Sequence, residues 1–169
     1  GLNMQIYKEA KLDTSIPLDW NQSWYLYGDV GVGKTHNAYA IYLQTNNYLL
    51  KQKESNEANN LFYDYPYVAF ANWAKTCESL RNTPFNTDVF ISDNRAEKEH
   101  SLMSKHKLII DDIGAEKRSD YSDDLLMRLV EHRYSNDLHT GFTSNLSMGK
   151  LPYDGRIISR IAGIVGKNK

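Results

Sequence analysis

Cysteine is nearly absent from this chain: Cys77 stands alone. A single thiol excludes an internal disulfide and a cysteine-rich zinc site, and it suits a reducing cytosol. At the end of an apolar helix face, Cys77 reads as a packed core thiol rather than a nucleophile. Long apolar runs are missing too. None approaches the ~20 residues of a membrane span, and the N-terminus lacks the charged-then-apolar block of a secretory leader. The expected setting is cytoplasmic, with no membrane partner. Neither sign of charge dominates. Twenty Lys and Arg face 21 Asp and Glu, for a net charge of −1. A strong nucleic-acid binder often carries a basic surplus, so any DNA contact here must come from a local patch. Lys98, Lys105 and Lys107 form one basic stretch; Lys150, Arg156, Arg160, Lys167 and Lys169 form another. The first fits solvated surface charge as well as it fits phosphate contact. There is no internal repeat and no low-complexity tract.

What is present is a glycine-rich loop. Residues Gly28 to Thr35 read GDVGVGKT, which meets the phosphate-loop pattern G-x-x-x-x-G-K-[ST] at every fixed position. In such a loop the backbone N–H groups curl around phosphates while the following helix points its positive end at them. Gly28, Gly31 and Gly33 permit the tight turn, with Asp29, Val30 and Val32 between them. Lys34 offers a point charge to the β/γ-phosphates, and Thr35 a hydroxyl to Mg²⁺, with His36 next in line. Ser23 to Tyr27 ahead of the loop is strand-like, and His36 to Gln44 behind it suits a helix.

The 169 residues allow one domain with a real core. Residues 1–22 read as a lead-in, with Ser15-Ile16-Pro17-Leu18 an extended piece near the nucleotide base. Residues 23–169 read as the domain. Strands are expected at about 24–27, 67–71, 108–110 and 141–144. Helices are expected from Lys34 past Leu50, from an Asn72 cap to Leu80, over 94–105, over 122–134 and over 154–163. Lys51 to Asn60 reads as an exposed helix end or loop, and Thr83 to Asp93 as loop. Strands alternate with helices, which argues a three-layer α/β fold with a mostly parallel sheet covered on both faces.

The strand Leu108-Ile109-Ile110 ends in Asp111-Asp112. Opposite a phosphate loop, Asp111 is placed to hold the Mg²⁺ shell and Asp112 to orient and deprotonate an attacking water. Strand-end acids also serve ordinary turns, and Asp112 fits that use more readily than Asp111. Thr143-Ser144-Asn145 ends the next strand. A polar side chain there reaches a γ-phosphate or caps the following turn, and the residues alone do not choose. Arg156 and Arg160 lie one helical turn apart; spacing alone makes them a solvated helix face.

Taken in order, GDVGVGKTH, LIIDDIGAE, FTSNLS and GRIISRI resemble the AAA+ ATPases related to the DnaC and DnaI helicase loaders and the transposase helper IstB. The resemblance runs from about Tyr25 to Ala162. It implies an AAA+ phosphate-loop fold, ATP or ADP with Mg²⁺, and hydrolysis of ATP to ADP and phosphate. It implies that Lys34 and Thr35 bind phosphate and Mg²⁺ and that Asp111 is the Walker B metal acid. Asp112 falls on the catalytic acid position and Asn145 on the γ-phosphate sensor. Arg160 matches an arginine finger acting on a neighbouring subunit, with Arg156 a second interface arginine. Glu116 is left as a back-up acid or a surface charge. Self-association through the ATP site, a replicative helicase and single-stranded DNA are the implied partners.

The departures from the group shape the expectation. Only 27 residues precede Gly28, and nine follow Arg160, so a helical lid is expected to be lacking, and a helicase-gripping N-terminal region to be absent, removed, or supplied by another protein. Asp112 stands where Glu is usual and reaches one methylene less far. The expected function is therefore a slow, ATP-switched replication accessory resembling a helicase loader, with a phage or mobile-element gene as its expected source. An IstB-like helper of a transposase, or a nucleotide-dependent interaction module with little hydrolysis, are the alternatives.

Overall fold

The computed structural model describes residues 11, 19, 21–58, 68–83 and 94–166. The expected base-side piece at Ser15 to Leu18, the loop around Pro84, and Lys167 and Lys169 lie outside the described residues. The elements run β1 (Trp24–Tyr27), α1 (Lys34–Ala58), β2 (Val68–Asn72), α2 (Trp73–Asn82), α3 (Arg95–Met103), β3 (Lys107–Asp111), α4 (Asp120–Ser135), β4 (His139–Ser144) and α5 (Gly155–Gly166). The strands form one sheet in the order β1-β4-β3-β2, with every pairing parallel. Parallel neighbours need crossovers, and the helices supply them.

β3 shows how the layers arise. Its side chains alternate between faces. Leu108 and Ile110 join Phe142 in the main core with Trp73 of α2, Leu125, Leu126 and Leu129 of α4, and Ile157 and Ile161 of α5. Ile109 points to the other face and meets Ala38 and Ile41 of α1, with Trp24 and Phe70 packed beside them. A run buried on both faces must be apolar throughout, which is why Leu-Ile-Ile is unbroken.

Some boundaries differ from the sequence expectation, each for a local reason. α4 begins at Asp120, two residues early, because Ser119 and Ser122 bond reciprocally across its first turn. β4 begins at His139 because its first residues are held from below. Thr140 N–H donates to Ser23 Oγ at 3.0 Å, and the buried Arg133 donates to Thr140 Oγ1 and to the His139 carbonyl. The same guanidinium donates to the carbonyls of Met103 and Lys105, at 3.0 and 2.7 Å. Burial pushes Arg133 down to about 9, which still leaves it charged at neutral pH. α1 continues as helix to Ala58, and Lys51 to Ser55 are exposed along it. A short 3₁₀ turn at Met148–Lys150 was not expected. No helix among the described residues is long and apolar enough to cross a membrane.

Candidate functional site

In an all-parallel sheet the C-terminal strand ends share one edge, and ligands bind there. Here that edge carries Gly28 after β1, Asn72 on β2, Asp111 at the end of β3 with Asp112 just after it, and Asn145 after β4. Gly28 N–H bonds the Ser144 carbonyl at 3.4 Å, tying the loop to β4. Gly31 and Gly33 both sit at φ +88°, a left-handed conformation that glycine adopts without steric penalty. Asn37 Nδ2 donates to the Gly33 carbonyl at 3.0 Å and closes the loop onto α1.

Lys34 is buried, and its Nζ donates to the carbonyls of Gly28 and Asp29 at 2.8 and 2.7 Å. The ammonium thus spans the loop's mouth on neutral acceptors, which charged phosphate oxygens outbid. Thr35 Oγ1 donates to Asp111 Oδ1 at 2.9 Å, joining residues 76 apart in sequence. Asp111 is 1% exposed. Its Oδ1 takes a second hydroxyl, from Thr143 at 2.8 Å, and Asn72 Nδ2 approaches Oδ2 at 3.4 Å.

Asp112 turns away at φ +62°, a conformation that Asp tolerates better than most residues. Its N–H donates to Thr143 Oγ1 at 2.8 Å, and its Oδ1 accepts from Asn145 Nδ2 at 3.3 Å. Burial raises its pKa above the ordinary aspartate value, the Asp111 and Glu116 charges add to the rise, and Lys34 opposes it.

These groups border a cleft of about 300 Å³ lined by Val30, Gly31, Gly33, Lys34, Thr35, His36, Asp112 and Asn145. Gly28 and Asp29 contribute carbonyls beneath Lys34, and Val32 stands exposed beside the loop. Thr35 and Asp111 are oxygen donors of the kind a hard divalent cation takes, with phosphate and water completing the shell. Among the described residues no group of three or more His, Cys, Asp or Glu could hold a metal unaided.

The two arginines are not brought to this cleft within one chain. Arg160 Nε donates to Glu131 Oε2, and its guanidinium lies 4.9 Å from the Tyr134 ring centroid. Arg156 pairs with Asp154 and is 80% exposed. Glu116 is not a surface charge. It is buried, accepting from Tyr153 OH at 2.6 Å and from Gly114 N–H at 2.9 Å. Cys77 is buried, and burial pushes its thiol up to about 12, in keeping with a packed core residue.

Sequence reasoning missed two contributors. Asn72 was read only as a helix cap. It does accept from Lys75 N–H, yet its amide also faces Asp111. Thr143 was one of three polar strand-end residues; the structure gives it, and not Asn145, the contact with Asp111. The available signal was strand alternation, which sets Thr143 and Asn145 on one side and Ser144 on the other.

A glycine-rich loop entering a helix, faced by strand-end acids on a parallel sheet, is the architecture of the phosphate-loop fold. Within it, the chain has the AAA+ fold shared by DnaC, DnaI and DnaA. A DnaI structure superposes with a TM-score of 0.60 at 25% identity, over 85% of this chain and 70% of that one. The DnaC helicase loader matches with a TM-score of 0.55 at 21% identity, over 97% of this chain and 91% of that one. AMPPCP-bound DnaA from Aquifex aeolicus gives 0.59 at 16% identity, over 84% of this chain. The chain spans 38% of that DnaA structure and 38% of a DNA replication initiation factor. No protein-family model and no curated protein matches the sequence.

Proposed function

We propose that residues 23–169 form an ATP-binding AAA+ domain that serves DNA replication in the manner of a helicase loader, with bound nucleotide as its switch. The observation that carries this reading is the 2.9 Å bond from Thr35 to Asp111. It joins the two halves of a phosphate-and-metal site that are far apart in sequence.

Each residue then has a task. The loop N–H groups and the α1 N-terminus bind phosphate. Lys34 leaves the Gly28 and Asp29 carbonyls for the β/γ-phosphates. Thr35 and Asp111 hold Mg²⁺, which supplies charge neutralisation on the phosphates. Asp112 orients the attacking water and takes its proton, and Asn145 beside it senses the γ-phosphate. Arg160, with Arg156, reaches the site of a neighbouring copy and stabilises the charge of phosphoryl transfer. Val30 at the cleft is 84% exposed and Val32 beside it on the loop 59% exposed, apolar surface that a neighbouring copy would cover. A short catalytic acid favours slow hydrolysis, so the nucleotide acts as a timer more than a fuel. The replicative helicase and single-stranded DNA are the proposed partners, and the cytosol of a bacterium or of a phage's host the proposed setting.

The test is nucleotide binding. Wild-type protein should bind ATP with Mg²⁺, and Lys34→Ala should abolish it. Binding that survives Lys34→Ala, or that wild type lacks, refutes the reading. Capture of replicative helicase and single-stranded DNA with ATP but not ADP tests the partners.

A further inference from the structure

We propose that Thr143 is a positioning residue for the metal: its one hydroxyl sets both the carboxylate of Asp111 and the turn that presents Asp112. The proposal rests on the nucleotide-site reading above, and it concerns a residue to which that reading gives no task. A threonine hydroxyl has one proton to give and lone pairs to receive. Thr143 uses both. It donates to Asp111 Oδ1 at 2.8 Å and accepts the Asp112 N–H at 2.8 Å. The residue is 1% exposed, so water does not compete for either bond.

Its place in the sheet explains why a side chain does this work. The β3–β4 ladder is in register up to Ile110 opposite Phe142. Beyond that pair Asp112 enters its left-handed turn at φ +62° and leaves the strand path. The Thr143 hydroxyl takes the Asp112 N–H at that point, and the Thr143 carbonyl takes the Ile113 N–H at 2.9 Å. Three consecutive residues of the acid segment are thereby fixed by one residue of β4. Asp111 Oδ1 is clamped between the hydroxyls of Thr143 and Thr35, which sets the rotation of the whole carboxylate. A metal-binding carboxylate oriented this way meets its cation without first reorganising. Partners that orient ligating groups commonly govern metal affinity by about 10- to 100-fold.

The variants are Thr143→Val, which keeps the branched shape and removes the hydroxyl, and Thr143→Ser, which restores it. A fluorescent ADP analogue is bound first in chelator, then with Mg²⁺ titrated in. Thr143→Val should bind the analogue without Mg²⁺ as wild type does, since the loop and Lys34 are untouched. It should then need about 10- to 100-fold more Mg²⁺ to gain the tighter state. Thr143→Ser should return towards the wild-type midpoint. A wild-type Mg²⁺ midpoint in Thr143→Val overturns the proposal. So does an equal loss with and without Mg²⁺, which marks a residue of the fold alone, and so does failure of Thr143→Ser to recover. If Thr143→Val does not fold, Thr143→Cys, close in volume but without the γ-methyl, leaves only a weak hydrogen-bonding group, and the same outcomes apply. Wild-type protein that binds no nucleotide refutes the site reading itself, before any variant is compared.

Discussion

Gly141→Ala should destabilise the protein although it adds a single methyl group. Gly141 pairs with Trp24 across β4 and β1, and the indole lies over the space that a side chain would take. A Cβ on Gly141 would stand 2.3 Å from Trp24 Cζ2, 2.5 Å from Cε2 and 2.6 Å from Cη2. Carbon atoms pack at about 3.5–4.0 Å, so the ring must retreat by more than about 1 Å. It is hemmed by Ala38, Ile41 and Ile109. Overpacking of this kind costs about 1–3 kcal/mol. Stiffening the unfolded chain offsets about 0.4–1 kcal/mol. The net loss centres on about 1.3 kcal/mol, or a fall in Tm of roughly 3–5 °C for a domain of this size. Urea unfolding followed by circular dichroism should show an earlier midpoint with an unchanged slope. Trp24→Leu removes the obstructing ring. The double variant should therefore be more stable than the two single losses predict, with a coupling of about 1 kcal/mol or more. β1 carries the phosphate loop, so nucleotide affinity should fall in Gly141→Ala and recover in the pair. An unchanged or raised urea midpoint in Gly141→Ala, or strict additivity, would refute the packing argument.

Tyr153→Phe removes the hydroxyl that bridges Glu116 and Gly114; leaving the buried carboxylate short of a donor should cost about 1–3 kcal/mol, read as a lower urea midpoint. Cys77, with its thiol pushed up to about 12 by burial, should stay unmodified by a thiol reagent at pH 8.5, where an ordinary thiol of pKa about 8.5 is half ionised; it should react at once in denaturant, and rapid labelling of the native protein would contradict its placement. Asp112→Asn keeps the size of the side chain and removes its proton-accepting charge. ATP hydrolysis should fall by about 10²–10⁴-fold, while Mg²⁺-nucleotide binding holds or tightens because a like charge beside Asp111 is gone; undiminished hydrolysis would remove Asp112 from the chemistry.

Much of this molecule was legible because it depends on local pattern. The phosphate loop is a contiguous string. The apolar Leu108-Ile109-Ile110 run announces a strand buried on both faces, and Leu125, Leu126, Leu129 and Val130 announce the inner face of α4. What escaped depends on partners brought together from afar. Thr143 meets Asp111 across 32 residues, and Tyr153 meets Glu116 across 37. A polar residue's type tells what bonds it can make, not which neighbour a parallel sheet delivers to it. Glu116 stays open between a back-up acid and a surface charge for that reason: nothing near it in sequence shows that Tyr153 will cover it. Strand order was illegible on the same grounds. Arg133 carried no warning of its burial, because only the fold places the carbonyls of Met103, Lys105 and His139 around one guanidinium.

One dimension of the fold has a mechanical consequence. α1 has 25 residues, and at ~1.5 Å per residue it is roughly 37 Å long. The strands, of four to six residues, extend only about 13–20 Å at ~3.3 Å each. The helix begins in the phosphate loop and outruns the sheet, ending in side chains from Lys51 to Ser55 that are all exposed. Ala38 and Ile41 hold its first turns on the sheet, and the later turns project past it. By simple geometry on that ~37 Å length, a tilt of about 5° at the loop swings the far end by roughly 3 Å. A small tilt at the loop would thus be magnified at the exposed end of the helix.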